Sequence, residues 1–128
     1  MPSLLQDARD ATEKASVPYS GYRVGAAIET SDGTVYTGAN IEVANYSNSL
    51  HAEEVALARA LMAGERSFSR IAVSSGDRDG ITPCGMCRQT LAEFASEDTE
   101  VIIDDPDGPT TYSLGELLPH AFTGELLE

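Results

Sequence analysis

Lysine is almost missing from this chain. Only eight of its 128 residues are basic, Lys14 is the one lysine among them, and they face 21 aspartates and glutamates for a formal net charge of -13. Nucleic-acid affinity draws on basic side chains that displace counterions, so this balance excludes a polynucleotide as the expected partner. No apolar run approaches the roughly 18 residues of a membrane span, and no membrane partner is expected. The start of the chain lacks a basic stretch followed by an apolar one, so the expected location is cytoplasmic. Cysteine is scarce too: Cys84 and Cys87 are the whole supply, too few for a disulfide scaffold at this size. Internal repeats, linkers and low-complexity segments are also lacking.

What is present describes a globular protein. Hydrophobic residues make up 41% and charged residues 23%, and the length suits one domain over residues 1–128 with a real core. The acidity fits adaptation to high salt, where carboxylate repulsion is screened within roughly 3 Å at 1 M; the alternative reading is an ordinary acidic protein, since net charge alone mainly reports solubility.

Periodicity predicts the elements. Leu4, Ala8, Ala11 and Ala15 fall at helical spacing, with Ser3 as N-cap. Pro18 and Gly21 then impose an irregular entry loop. Residues 24–30 and 34–38 flank Ser31-Asp32-Gly33 and read as a β-hairpin, in which small residues at Gly25, Ala26 and Ala27 admit close approach of a helix or ligand. Residues 40–50 are polar and aperiodic, as in chain that lines a site. A helix is expected from His51 to a C-terminal Gly64, a strand over 70–75, a helix over 84–96 and short strands at 101–103 and 110–113. Ser113 and Glu116 form a capping box for a last short helix through Leu118. This order predicts a three-layer α/β/α domain on a mixed sheet of about five strands, an antiparallel hairpin first and right-handed crossovers after it.

Chemistry concentrates in His51-Ala52-Glu53-Glu54 and Pro83-Cys84-Gly85-Met86-Cys87. A cysteine pair three residues apart suits redox work, metal binding or inert burial. Its place two-thirds along the chain, after a proline and with His-x-Glu upstream, favours metal. Cys84 and Cys87 lie one helical turn apart on one face, at a helix start whose free N–H groups favour thiolate. His51 opens the other helix, and Glu53 points elsewhere, toward a reacting group rather than the ion. Three ligands and a free acid describe a catalytic zinc; a structural zinc takes four ligands.

His-x-Glu followed by Pro-Cys-x-x-Cys is a mark of zinc nucleobase deaminases. The chain resembles the cytidine deaminase family, in its small homotetrameric form, over nearly its whole length. Pro18-Tyr19-Ser20 through Ala27 resembles the family's opening strand, Gly38 to Glu42 its ribose segment, and Leu117 to Phe122 its C-terminal lid. The resemblance implies a cytidine deaminase-like fold, one zinc per subunit on His51, Cys84 and Cys87, and water at the fourth position. It implies hydrolytic deamination of cytidine and deoxycytidine in pyrimidine salvage, with attack at C4 and Glu53 as proton shuttle. It also implies that the Ala52 amide meets the base oxygen, the Thr82 carbonyl the leaving amine, and Asn40 and Glu42 the ribose. Tyr22, where relatives often have phenylalanine, would stack on the base, and Phe122 would pack over it from a neighbouring subunit of a homotetramer with shared active sites. Arg88, beside Cys87, would partner a thiolate sulfur.

One departure stands out. The small relatives usually carry cysteine where His51 stands and arginine where Glu54 stands. Zn²⁺ with one imidazole and two thiolates is neutral, so the compensating arginine is not needed. Two other readings remain at this point: a deaminase of a related cytosine nucleoside such as a blasticidin-type antibiotic, and a non-enzymatic structural zinc or binding module, for which His120 would be the fourth ligand.

Overall fold

The computed structural model of the chain describes residues 3–77 and 79–124. Helix α1 spans Leu4–Ala11 and is capped as expected, the Gln6 amide donating to Ser3 Oγ at 3.0 Å. It stops short of Ala15 because Thr12 Oγ1 donates to the Arg9 carbonyl at 2.6 Å, and Thr12–Lys14 tighten into a 3-10 turn. Strands β1 (Gly25–Thr30) and β2 (Val35–Ala39) form the expected hairpin. Helix α2 (Ala52–Met62) follows an irregular segment, then β3 (Phe68–Ser74), α3 (Gly85–Phe94), β4 (Glu100–Asp105), β5 (Gly108–Ser113) and α4 (Leu114–Leu117). Ser113 and Glu116 make the expected capping box of α4, and Gly64, at φ +94°, follows the last turn of α2.

The sheet is mixed and five-stranded, in the order β2-β1-β3-β4-β5. Only β3 and β4 are parallel neighbours, joined through α3. The alternation of side chains sorts the core into two layers. Ala27 and Ala72 face α1 with Leu4, Leu5 and Ala8. Ala26, Ile28, Ile71, Val101 and Ile103 face the other way, onto Ala56, Leu57 and Ala60 of α2, Leu91 of α3 and Leu114 of α4.

Two glycines set how near the helices come. A Cβ on Gly25 would lie 2.1 Å from the Ala8 carbonyl oxygen, and one on Gly38 would lie 2.4 Å from the Ala56 nitrogen. Backbone contact at Gly25 seats α1 and contact at Gly38 seats α2. The start of α2 is thereby fixed beside the β2 end, where the site is built.

Candidate metal centre and its cavity

His51 and Cys84 are the cap residues of α2 and α3, each in extended backbone just before the first helical turn. Both helix starts therefore bring unpaired N–H groups and partial positive charge to one place. Cys87, in the first turn of α3, is completely buried, whereas Cys84 is exposed. His51 Nδ1 lies 3.1 Å from Cys87 Sγ and 3.3 Å from Cys84 Sγ, and the two sulfurs are 3.7 Å apart. Ligands 2.0–2.3 Å from a tetrahedral zinc stand about 3.5–3.8 Å from one another, so the set fits one ion after a small adjustment at the imidazole. Among the described residues this is the one such group, and His120 does not join it. A four-ligand structural site is therefore not formed.

The electrostatics also call for a cation. Burial, and then the charge of Glu53, push the Cys87 thiol far up from its ordinary value, and a bound cation would favour the thiolate that coordination needs. Glu53 is 6% exposed, and burial raises its carboxyl, against the opposing pull of its own amide, His51 and Cys87. Glu54 accepts the His51 backbone N–H at 3.0 Å, with the same oxygen 3.9 Å from His51 Nδ1. Glu54 thus caps α2 and steadies the ligand at its start.

A cavity of about 300 Å³ opens at this group, lined by Tyr22, Val24, Asn40, His51, Ala52, Glu53, Ile81, Thr82 and Cys84. A second of about 250 Å³ adjoins it through Asn40 and His51, and carries Ser20, Glu42, Ser49 and Leu50. A larger hollow of about 820 Å³ between Phe68, Phe94 and Leu114 contains no residue of this set.

Most residues singled out in the sequence therefore meet. Tyr22, Asn40, Ala52, Glu53 and Thr82 share the first cavity, and Glu42 sits in the second. Asn40 also holds the entry loop: its Oδ1 accepts the Val24 amide and its Nδ2 donates to the Tyr22 carbonyl, both at 2.9 Å. Glu42 Oε1 accepts the Ser20 and Tyr19 amides at 3.0 and 3.2 Å; hydrogen bonds from Ser20 foremost hold its carboxyl below the usual range.

Arg88 is placed differently from the expectation. Arg88 donates to the Pro83 carbonyl at 2.7 Å, the Leu117 carbonyl at 2.8 Å and Thr82 Oγ1 at 2.9 Å. It braces the loop that carries Cys84, and none of these bonds goes to sulfur. Phe122 is 59% exposed and absent from the lining of its own chain's cavity, its carbonyl accepting Gln89 Nε2 at 2.5 Å. Val24 and Ile81 line the site without having been singled out. Each is an apolar residue beside a motif, with no chemical signal of its own.

A mixed sheet with helices on both faces, presenting His-x-Glu and Cys-x-x-Cys at two converging helix starts, defines a zinc-site domain of the nucleobase-deaminase class. The family model described as the cytidine and deoxycytidylate deaminase zinc-binding region matches residues 2–103, and the chain belongs to that family. It is 43% identical to a cytidine deaminase of Halalkalibacterium halodurans over 95% of this chain and 93% of that one. The crystal structure of cytidine deaminase from Burkholderia pseudomallei superposes with a TM-score of 0.88 at 43% identity, covering 93% of this chain and 96% of that chain. The enzyme from Mycobacterium tuberculosis gives 0.82 at 38% identity, over 93% and 94%.

Proposed function

We propose that this chain catalyses zinc-dependent hydrolytic deamination of cytidine and deoxycytidine to uridine and deoxyuridine, with release of ammonia. The observation that carries the reading is a buried carboxyl, Glu53, beside a three-ligand metal set that opens into a nucleobase-sized cavity. His51, Cys84 and Cys87 would hold one zinc, which when bound supplies Lewis-acid activation of water.

The chain's own residues do the rest. Glu53, raised by burial, is suited to take a proton and pass it to N3 of the base and then to the departing amine. The Ala52 amide meets the base oxygen, the Thr82 carbonyl orients the amine, Tyr22 lies against the ring, and Asn40 and Glu42 hold the sugar in the second cavity.

The lining also favours a nucleoside over a nucleotide. Among the described residues neither cavity is lined by a lysine or arginine, while Glu42 and Glu53 place acids in them, and a phosphate would meet repulsion from those acids. The net charge disfavours polynucleotides for the same reason. The exposed Phe122 supports a homotetramer in which it covers a neighbouring site. A role in pyrimidine salvage and a cytoplasmic setting complete the reading; among the described residues no helix is long and apolar enough to cross a membrane.

The test is an ultraviolet assay on cytidine, deoxycytidine, cytosine and deoxycytidylate, with zinc quantified in the same sample. Turnover of the two nucleosides is expected. A preference for deoxycytidylate would overturn the nucleoside assignment.

A further inference from the structure

The first cavity is walled by two segments that belong to no helix or strand. Residues 22–24 lead into β1, and residues 81–82 lead from β3 toward α3. The Tyr22 hydroxyl reaches the loop that leads into the second segment: it donates to Asp79 Oδ2 at 2.5 Å, across 57 positions of chain, and also meets Ser75.

The Asp79 end is anchored. Its other oxygen accepts the hydroxyl of Ser75 at 2.7 Å, and Ser75 is only 7% exposed. The loop is pinned at both ends: the Gly76 amide donates to Ser74 Oγ at 2.9 Å, the Asp77 amide to Ser75 Oγ at 3.2 Å, and the Gly80 amide to the Asp104 carbonyl at 3.1 Å. Asp104 in turn is gripped by Arg9 through two bonds of 2.7 Å. Burial would raise the Asp79 carboxyl, but the Tyr22 and Ser75 hydroxyls, together with its own amide and that of Ile81, hold it below the usual range.

The Tyr22 end is not anchored in this way. Its main chain is held by Asn40, but its ring stands 40% exposed at the cavity, outside regular structure. The bond to Asp79, with the contact to Ser75 beside it, holds the hydroxyl end of that ring.

We propose that Asp79 is a positioning residue, tying the two cavity walls together through the Tyr22 hydroxyl and presetting the ring against the substrate's base. The role in catalysis rests on the nucleoside reading above. Presetting an aromatic wall lowers the ordering cost of binding. Asp79 does not line the cavity and touches no reacting atom, so its loss should appear in KM and not in kcat.

The test is a double-mutant cycle of Asp79→Ala, Tyr22→Phe and the double variant, assayed on cytidine. Amide hydrogen exchange over residues 20–24 and 80–82 and zinc content are measured on the same samples. Each single variant should raise KM roughly three- to tenfold with kcat within about twofold, a range set by a charge-assisted but partly exposed bond. The double variant should be no worse than the worse single one. Asp79→Asn, which keeps an acceptor, should recover part of the loss. Exchange should quicken in both segments with zinc retained.

Unchanged KM and exchange in Asp79→Ala, or effects that multiply in the double variant, would overturn the tie. An unmutated chain that turns over neither cytidine nor deoxycytidine would overturn the functional reading and the positioning role with it. The exchange data would then still decide whether the tie exists.

Discussion

Glu53 shows what the site asks of one residue. A carboxyl 6% exposed sits against a buried thiol, with its own titration raised by that burial. Such a group works against the fold when charged. Its folded value lies above the unfolded one, so its contribution to stability is full below the ordinary carboxylate range and is lost as pH rises through the folded value. In metal-free protein, Glu53→Gln should therefore melt a few degrees higher than the unmutated chain at pH 7.5, with the gap narrowing at pH 5. Thermal melts at the two pH values check this; a lower melting point at pH 7.5 would count against it. His51→Ala removes a ligand at the start of α2 and should lose zinc, read by metal analysis after dialysis. The ligands and the acid were legible in the sequence because His-x-Glu and Cys-x-x-Cys are local patterns whose spacing is set by one helical turn. The cap role of Glu54 was not, because a histidine is not among the usual N-cap residues that mark such a box.

Between elements, the contact that matters most left no local trace. Arg9 on α1 meets Asp104 at the end of β4 through two bonds of 2.7 Å, Asp104 is 2% exposed, and Ser74 on β3 donates to the same carboxylate. Read along the chain, Arg9 is one charged residue on the polar side of an amphipathic helix and Asp104 follows an apolar strand. Their pairing depends on a crossing 95 positions apart. Arg9→Ala leaves a buried carboxylate without its cation and should cost about 3 kcal/mol, read from urea unfolding; a loss below about 1 kcal/mol would contradict that weight. Gly25→Ala drives a Cβ into the Ala8 carbonyl and should cost at least as much. The elements themselves were legible from periodicity and caps. The first helix ends early because Thr12 turns its hydroxyl onto the Arg9 carbonyl, a competition that spacing alone does not reveal.

For the molecule as a whole, a surplus of 13 negative charges is the dominant property. It sets solubility and partner class, not the fold. If the acidity is an adaptation to salt, the melting temperature should rise by several degrees between 0.1 M and 2 M KCl, as repulsion is screened; equal melting in both would end that reading. The three layers and the close approach at Gly25 were legible, but the strand order lay beyond the sequence, since it depends on pairings such as β1 with β3 that only the assembled sheet creates. Phe122 is exposed and outside its own cavity; the proposed homotetramer predicts four times the chain mass in light scattering, and a monomer would count against the role given to Phe122. The most direct measurement is of zinc content and cytidine turnover on one preparation of the unmutated chain and of Glu53→Gln. The account predicts one zinc per chain in both, with kcat in the variant lower by about 10² to 10⁴. Turnover preserved in Glu53→Gln, or full activity in a chain stripped of zinc, would contradict it.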